Sequence, residues 1–158
     1  MKSLYIIRHG DSPFIQGGND FERPLSEMGK YDAINIGLHL SEDYPSPSYI
    51  LSSAAQRAIT TARIIGAELD FDTTTITAKK ELHNASMQIV MQAIIDIPEK
   101  HDCAMVFGHN PGLSALASYL TGENFNMATC NTVLLNVETD AWNELSKDTC
   151  TVRNYIAP

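Results

Sequence analysis

The sequence contains no run of 18 or more apolar residues, which argues against a membrane-spanning helix. Its first apolar stretch, residues 4–7, is too short for the hydrophobic part of a secretory signal, and the charged residue Arg8 follows it directly. We therefore expect a cytoplasmic protein that has no membrane partner.

Positive charge is also scarce, because 11 lysines and arginines stand against 19 acidic residues and give the chain a formal net charge of −8. Proteins that bind nucleic acids or anionic membranes in a general way need positive charge spread over their surface. The composition argues against both classes of partner. Only five of the positive side chains are arginines, which are Arg8, Arg23, Arg57, Arg63 and Arg153.

Cysteine is rare as well, since the chain has three cysteines and no C-x-x-C pair. An odd number without paired spacing argues against a disulfide framework, so we expect reduced thiols. The remaining composition, with 44% hydrophobic and 19% charged residues, is that of an ordinary globular protein. At 158 residues the chain has the size of one compact domain, so we predict a single domain over residues 1–158.

Segments with strand and helix patterns alternate along the chain. Short apolar or β-branched runs predict strands at residues 3–7, 49–51, 73–77, 103–107, 132–137 and 149–156. Helical periodicity predicts four helices, which begin near Ser26, near Ser52 or Ser53, near Ser86 and near Pro111. Such alternation is typical of an α/β protein. We predict a three-layer α/β/α sandwich with a mainly parallel sheet and an antiparallel edge formed by the last two strands.

Each of these helices should bury one apolar face against the sheet. In the first helix, Tyr31, Ile34 and Leu38 recur at helical spacing and are expected to form that face. In the last helix, the corresponding apolar positions include Leu113 and Leu120.

Two histidines directly follow predicted strands. His9 comes after the first strand, and His109 comes after the strand at residues 103–107. Arg8 precedes His9, and Arg57 lies in the first turn of the helix that follows strand 49–51. Ligands of open α/β sheets bind beyond the carboxyl ends of the strands, so these four side chains should meet at one rim of the sheet.

A set of two arginines and two histidines suits a phosphoryl group. Guanidinium groups match phosphate oxygens in a bidentate geometry, and helix N-termini add unpaired N–H groups. A neutral imidazole can act as the nucleophile and form a phosphohistidine intermediate that water later hydrolyses. A histidine at a single strand end is more often a structural residue, and the combination of all four side chains weakens that interpretation.

Four short motifs resemble those of the histidine phosphatase (phosphoglycerate mutase-like) superfamily. They are Arg8-His9-Gly10, the segment R-P-L-S-E-M-G at residues 23–29, S-S-A-A-Q-R-A-I-T-T-A at residues 52–62, and G-H-N-P-G at residues 108–112. The resemblance extends from Ser3 to about Leu120. A short chain with these elements is similar to the small SixA-type phosphohistidine phosphatases.

The resemblance implies that His9 is the nucleophile that accepts the phosphoryl group. It also implies that Arg8, Arg57 and His109 bind the phosphoryl oxygens and stabilise the charge that develops during transfer. Members of the superfamily need no metal ion, so we expect no metal and no other cofactor.

The resemblance also suggests roles for four further residues. Arg23 would be a further phosphate ligand or a positioning residue, and Asn110 is a candidate donor to a phosphoryl oxygen. Many members take their proton donor from the region after the third strand, where Glu81 matches best. Asp11, just after the nucleophile, is the alternative proton donor.

The leading hypothesis is a phosphatase that acts on protein phosphohistidine, for example on a histidine-containing phosphotransfer domain. A chain this short has no room for the inserted lids of larger relatives, and an open site suits a protein-borne phosphoryl group. One alternative is a phosphatase of small phosphorylated metabolites, and another is a phospho-recognition module without turnover. We expect the protein to work as a monomer.

Overall fold

The fold is a six-stranded sheet with two helices packed on each face. The structure is a computed structural model and describes all residues from Met1 to Pro158. The strands are β1 (Lys2–Arg8), β2 (Tyr49–Ser53), β3 (Thr77–Lys79), β4 (Cys103–Gly108), β5 (Thr132–Val137) and β6 (Cys150–Ile156). The α-helices are α1 (Glu27–Asp43), α2 (Gln56–Glu68), α3 (Met87–Ile95) and α4 (Gly112–Thr121). Short 3₁₀ turns lie at Asp20–Glu22, Thr73–Thr75, Lys80–Leu82 and Trp142–Glu144.

The strands lie in the order β3-β2-β4-β1-β5-β6. The first four of these are parallel, and β5 and β6 are antiparallel to their neighbours. This arrangement confirms the predicted α/β class and the mainly parallel sheet with an antiparallel edge. None of the helices has both the length and the apolar composition that crossing a membrane requires.

Both faces of the sheet are buried because side chains alternate along each strand. In β1, Leu4 and Ile6 pack in a cluster with α3 and α4, whereas Tyr5 and Ile7 pack in a second cluster with α1 and α2. The near-continuous apolar runs of β1 and β4 therefore reflect strands that are covered on both sides.

Helix α1 buries a different face from the one that its bulky residues predict. Tyr31 is 60% exposed and Leu38 is 50% exposed. A Cβ at Gly37 would lie 2.6 Å from Cβ of Glu68 in α2, so the absence of a side chain there lets the two helices approach closely. The buried face carries Gly29, Ala33, Ile36, Gly37 and Leu40.

Two further local expectations are wrong. The β-branched run at residues 73–77 forms a 3₁₀ turn first, because the Asp72 carboxylate accepts hydrogen bonds from the backbone and hydroxyl of Thr74, and only Thr77–Lys79 joins the sheet. Helix α2 has no side-chain cap from either serine, since Ala55 is its N-cap residue. Ser26 and Ser86 do cap α1 and α3, as predicted.

The chain directly after β1 packs backbone to backbone against the start of α1. Gly10 and Gly29 face each other, and a Cβ on Gly10 would lie 2.9 Å from the Gly29 carbonyl oxygen. A Cβ on Gly29 would overlap the carbonyl oxygen of Asp11. The two glycines therefore hold the loop after β1 close to helix α1.

The substitution Gly29→Ala tests this close approach. The added methyl group should push the loop after β1 away from α1 and destabilise the protein by about 1–3 kcal/mol, as overpacking does elsewhere. Urea unfolding measures the loss, and Lys30→Ala at the next, exposed position is the control. Equal stability of the two variants would contradict the packing described here.

Candidate active site

A cavity of about 460 Å³ opens at the carboxyl ends of the parallel strands, and none of its lining residues is hydrophobic. Arg8 is the last residue of β1, and the other ten come from the loops and helix starts that follow β1, β2, β3, β4 and α4. They are Arg8, His9, Asp11, Ser12, Asp20, Arg23, Arg57, Asn84, His109, Asn110 and Thr129. The predicted meeting of two arginines and two histidines at one rim is therefore observed.

His9 is buried, and its orientation is fixed by the next residue. Its Nδ1 lies 2.7 Å from the carbonyl oxygen of Gly10, and since a carbonyl can only accept, Nδ1 carries the proton. Burial lowers the pKa of His9 to about 4, and the positive charges of Arg57 and Arg8 act in the same direction. At neutral pH, His9 is therefore a neutral imidazole whose Nε2 carries a free lone pair.

His109 lies beside His9, with 5.2 Å between the ring centroids. Its Nε2 is 2.8 Å from the Ser53 hydroxyl, whereas its Nδ1 is buried and has no hydrogen-bond partner. Burial is the main reason that the pKa of His109 falls to about 3, and the charges of Arg57 and of His9 in its protonated form lower it further. The second histidine is therefore also neutral at neutral pH.

Three arginines supply the positive charge of the cavity. Arg57 is only 3% exposed, Arg23 is held by the loop after β1, and Arg8 donates from Nη1 to the Met127 carbonyl at 3.0 Å. In each of the three, the Nε is buried and lacks a partner. Unpaired buried donors are rare in folded proteins, so this group of nitrogens is a strong indication of an anionic ligand.

Asp20 is the main site residue that sequence reasoning missed. One carboxylate oxygen accepts from Arg57 (3.1 Å), His83 (2.7 Å) and Asn84 (3.2 Å), and the other accepts from Arg23 (3.2 Å). The hydrogen bond with His83 and the charge of Arg57 lower the pKa of Asp20 to about 2. Its only sequence signal is its position three residues before Arg23.

Asp11 and Asn110 also lie in the lining, as the sequence predicts. The Asp11 carboxylate accepts from the Ser26 hydroxyl at 2.6 Å, which links it to the cap of α1. The Asn110 amide donates to the Met127 carbonyl at 2.7 Å, the same oxygen that Arg8 contacts. Asn110 therefore helps to fix the position of the Met127 carbonyl to which Arg8 donates.

The structure does not bring Glu81 into the cavity, which corrects the expectation that it lies beside the phosphoryl group. Glu81 is exposed and lines a separate, smaller groove against α3. The 3₁₀ turn Lys80–Leu82 buries Leu82 in the core, and its neighbour Glu81 therefore faces outward. Asn84, two residues after Leu82, reaches the cavity instead.

Among known families, the profile of the histidine phosphatase superfamily (branch 1) matches residues 4–90 of this chain. The chain belongs to this superfamily. An uncharacterized chloroplastic protein of Arabidopsis thaliana is 31% identical over 152 residues, which cover 90% of this chain and 70% of that protein. An uncharacterized protein of Mycobacterium tuberculosis is 31% identical over 114 residues, covering 72% of this chain and 69% of that protein.

Solved structures show the same fold. The protein histidine phosphatase SixA in complex with tungstate has a TM-score of 0.84 at 21% identity and covers 99% of this chain and 97% of that chain. A SixA structure from Agrobacterium tumefaciens has a TM-score of 0.83 at 24% identity, with 99% and 98% coverage. The mycobacterial glucosyl-3-phosphoglycerate phosphatase reaches 0.68 at 16% identity, with 99% coverage of both chains. Membership of this superfamily supports a phosphatase activity.

Both cavity histidines should stay neutral over the physiological pH range. Their pKa values of about 4 and about 3 lie well below the ordinary value of 6.5, so the ¹⁵N shifts of both rings should not change between pH 6 and 8. NMR titration of the folded protein measures this, and the same protein unfolded in urea provides the reference. A midpoint near 6.5 for either ring in the folded protein would show that the cavity does not shift these groups.

Proposed function

We propose that this protein is a phosphatase that removes the phosphoryl group from phosphohistidine in a protein, through a covalent intermediate on His9. The observation that carries the proposal is the neutral His9, whose Nδ1 is tied to Gly10 and whose Nε2 is free, in a cavity with three arginines. A pure binding module has no use for a nucleophile held in this way. We infer one such domain over residues 1–158.

In the first step, the lone pair of His9 Nε2 attacks phosphorus and the bond to the leaving group breaks. Negative charge spreads over the three other phosphoryl oxygens during transfer, and catalysis depends on donors that are already in position. The Nε groups of Arg8, Arg23 and Arg57 and the Nδ1 of His109 are such donors, since all four are buried without partners. The product is a phosphorylated His9 and the released leaving group.

In the second step, water attacks phosphorus and breaks the bond to His9 Nε2. The two protons of the water stay on the inorganic phosphate or pass to solvent, and His9 leaves as a neutral imidazole that keeps its proton on Nδ1. Gly10 keeps its hydrogen bond to Nδ1 throughout, so the ring does not need to reorient between the steps.

The protonation states of the cavity carboxylates favour a substrate whose leaving group needs no proton from the enzyme. Asp20 has a pKa of about 2 and is ionised at neutral pH, so it cannot donate a proton. Asp11 is the only other carboxyl group in the lining. The imidazole of a phosphohistidine can leave as a neutral ring when its second nitrogen is protonated, whereas an alkoxide needs an acid.

One chain supplies both histidines and all three arginines of the proposed reaction. We propose that the enzyme works as a monomer. The three arginines supply the positive charge that a metal ion provides in other phosphatases, and no group of three or more His, Cys, Asp or Glu side chains is arranged to hold a metal. We propose that the reaction needs no metal and no cofactor.

Small phosphorylated metabolites are the second candidate substrates. The cavity of about 460 Å³ is large enough for a small phosphomonoester, and glucosyl-3-phosphoglycerate phosphatase shares the fold. The leaving-group argument favours phosphohistidine over these compounds.

The substitution His9→Ala should reduce turnover by a factor on the order of 10⁴ or more, because the covalent route is lost. The measurement is phosphate release from a phosphohistidine protein, p-nitrophenyl phosphate and a set of phosphorylated metabolites, with and without EDTA. We expect the highest kcat/KM for the phosphohistidine protein and no effect of EDTA.

His39→Ala, a histidine in α1 outside the cavity, is the matched control. Near-wild-type activity of His9→Ala would disprove the mechanism. A metabolite with the highest kcat/KM would replace the proposed substrate, and inactivation by EDTA would point to a metal enzyme.

The dependence of the rate on the leaving group distinguishes Asp11 from Glu81 as the proton donor. If Asp11 protonates oxygen leaving groups, Asp11→Asn should slow phosphomonoesters with poor leaving groups by about 10²-fold, which is typical of a lost general acid. Its effect on the phosphohistidine protein should be several-fold smaller, and Glu81→Gln should change neither rate. A larger effect of Glu81→Gln than of Asp11→Asn would restore Glu81 as the acid.

A further inference from the structure

We propose that Ser53 is a positioning residue that fixes the neutral His109 in its Nδ1–H tautomer, so that His109 donates a hydrogen bond to the phosphoryl group. The proposal rests on the proposed function only for the identity of the acceptor. The tautomer itself follows from the hydrogen bonds of the protein.

The hydroxyl of Ser53 has two neighbours within hydrogen-bond distance. The backbone N–H of Ala55 donates to its Oγ at 3.1 Å, and Nε2 of His109 lies 2.8 Å from the same oxygen. Ala55 N–H can only donate, so His109 Nε2 is the single acceptor within reach of the hydroxyl proton. Ser53 is completely buried, so no solvent molecule replaces that acceptor.

The opposite tautomer would leave two buried groups without a partner. If Nε2 carried the proton, it would donate to Oγ, and both the serine O–H and the Nδ1 lone pair would be unpaired, whereas the Nδ1–H form leaves only Nδ1–H without a partner in the protein. Each buried polar group without a partner keeps the full cost of its desolvation. The Nε2 of His109 is therefore the acceptor, and the ring proton of the neutral imidazole lies on Nδ1.

This assignment explains the buried and unpartnered Nδ1 of His109. His109 lines the cavity, so the oxygens of a phosphoryl group bound there can supply the acceptor that its Nδ1–H lacks. A neutral donor is useful beside three arginines, because it adds a hydrogen bond without a further charge to desolvate.

Both histidines are then in the Nδ1–H tautomer, but they leave different nitrogens available to the ligand. The Gly10 carbonyl accepts from His9 Nδ1 and leaves a lone pair on Nε2, whereas the Ser53 hydroxyl donates to His109 Nε2 and leaves an N–H on Nδ1. With ring centroids 5.2 Å apart, one imidazole presents the nucleophile and the other presents a donor to the same group.

The direct test is the tautomer of His109 in the wild-type protein. Two-dimensional ¹⁵N–¹H spectra can correlate the carbon-bound protons of the imidazole ring with both ring nitrogens. The ¹⁵N shifts then distinguish a protonated nitrogen from an unprotonated one. At pH 7 we expect His109 to show a protonated Nδ1 and an unprotonated Nε2. A protonated Nε2 with an unprotonated Nδ1 would overturn the proposal, whether or not the protein is an active phosphatase.

The variant Ser53→Ala tests the consequence of losing the hydroxyl. The His109 ring should shift towards its Nε2–H form, and tungstate should bind about tenfold more weakly, which corresponds to about 1.4 kcal/mol. Ser53→Thr keeps a hydroxyl and should restore both properties. An unchanged tautomer and unchanged tungstate affinity in Ser53→Ala would contradict the assignment.

Ser52→Ala is the matched control, because Ser52 is equally buried but its hydroxyl donates to the Ser53 carbonyl at 2.9 Å and does not touch His109. It should keep the wild-type tautomer and affinity. Since Ser53→Ala also removes the acceptor of Ala55 N–H, circular dichroism and the ¹⁵N shifts of His9 verify that the fold and the neighbouring ring are intact. If wild-type His109 shows the expected tautomer and Ser53→Ala weakens tungstate binding but no substrate turns over, the proposed function fails and the tautomer assignment stands.

Discussion

The parallel pairing of β1 with β4 is the constraint on which the site depends. In its register, Arg8 lies opposite Gly108, so both strands end at the same level and the next residues are His9 and His109. The backbone N–H of His9 also donates to the Gly108 carbonyl at 3.1 Å. A slip of one residue would turn the side chains of a strand to the other face of the sheet and would separate the two rings. The cores on both faces fix this register, and through it the 5.2 Å between the imidazoles.

The second constraint is the burial of positive charge in an acidic protein. The net charge of −8 describes most of the surface, whereas Arg8, Arg23 and Arg57 are gathered at one cavity. Burying a guanidinium group without a counter-ion is unfavourable, and Asp20 supplies the counter-ion for Arg57 and Arg23. The same contacts anchor the loop after β1 to the rest of the site. Asp20 therefore balances the charge of the cavity and fixes the conformation of this loop through the same contacts.

The architecture was largely predictable because apolar periodicity reports burial directly. The strands covered on both faces, the antiparallel edge and the caps at Ser26 and Ser86 all follow from local patterns. The buried face of α1 did not, since helix α2 approaches so closely at Gly37 that a Cβ there would collide with Glu68. Periodicity records which residues are apolar, and it contains no information on the distance between two elements.

The sequence by itself placed Arg8, His9 and His109 at strand ends and Arg57 in the first turn of the helix after β2, because parallel strands bring these positions to one carboxyl rim. Tertiary structure alone decided the rest. Asp20 and Ser53 meet their partners across 37 and 56 positions of the chain, and Glu81 is turned away because its neighbour Leu82 is needed in the core. Contacts between residues so far apart depend on how loops pack against the sheet, and no local pattern records that packing.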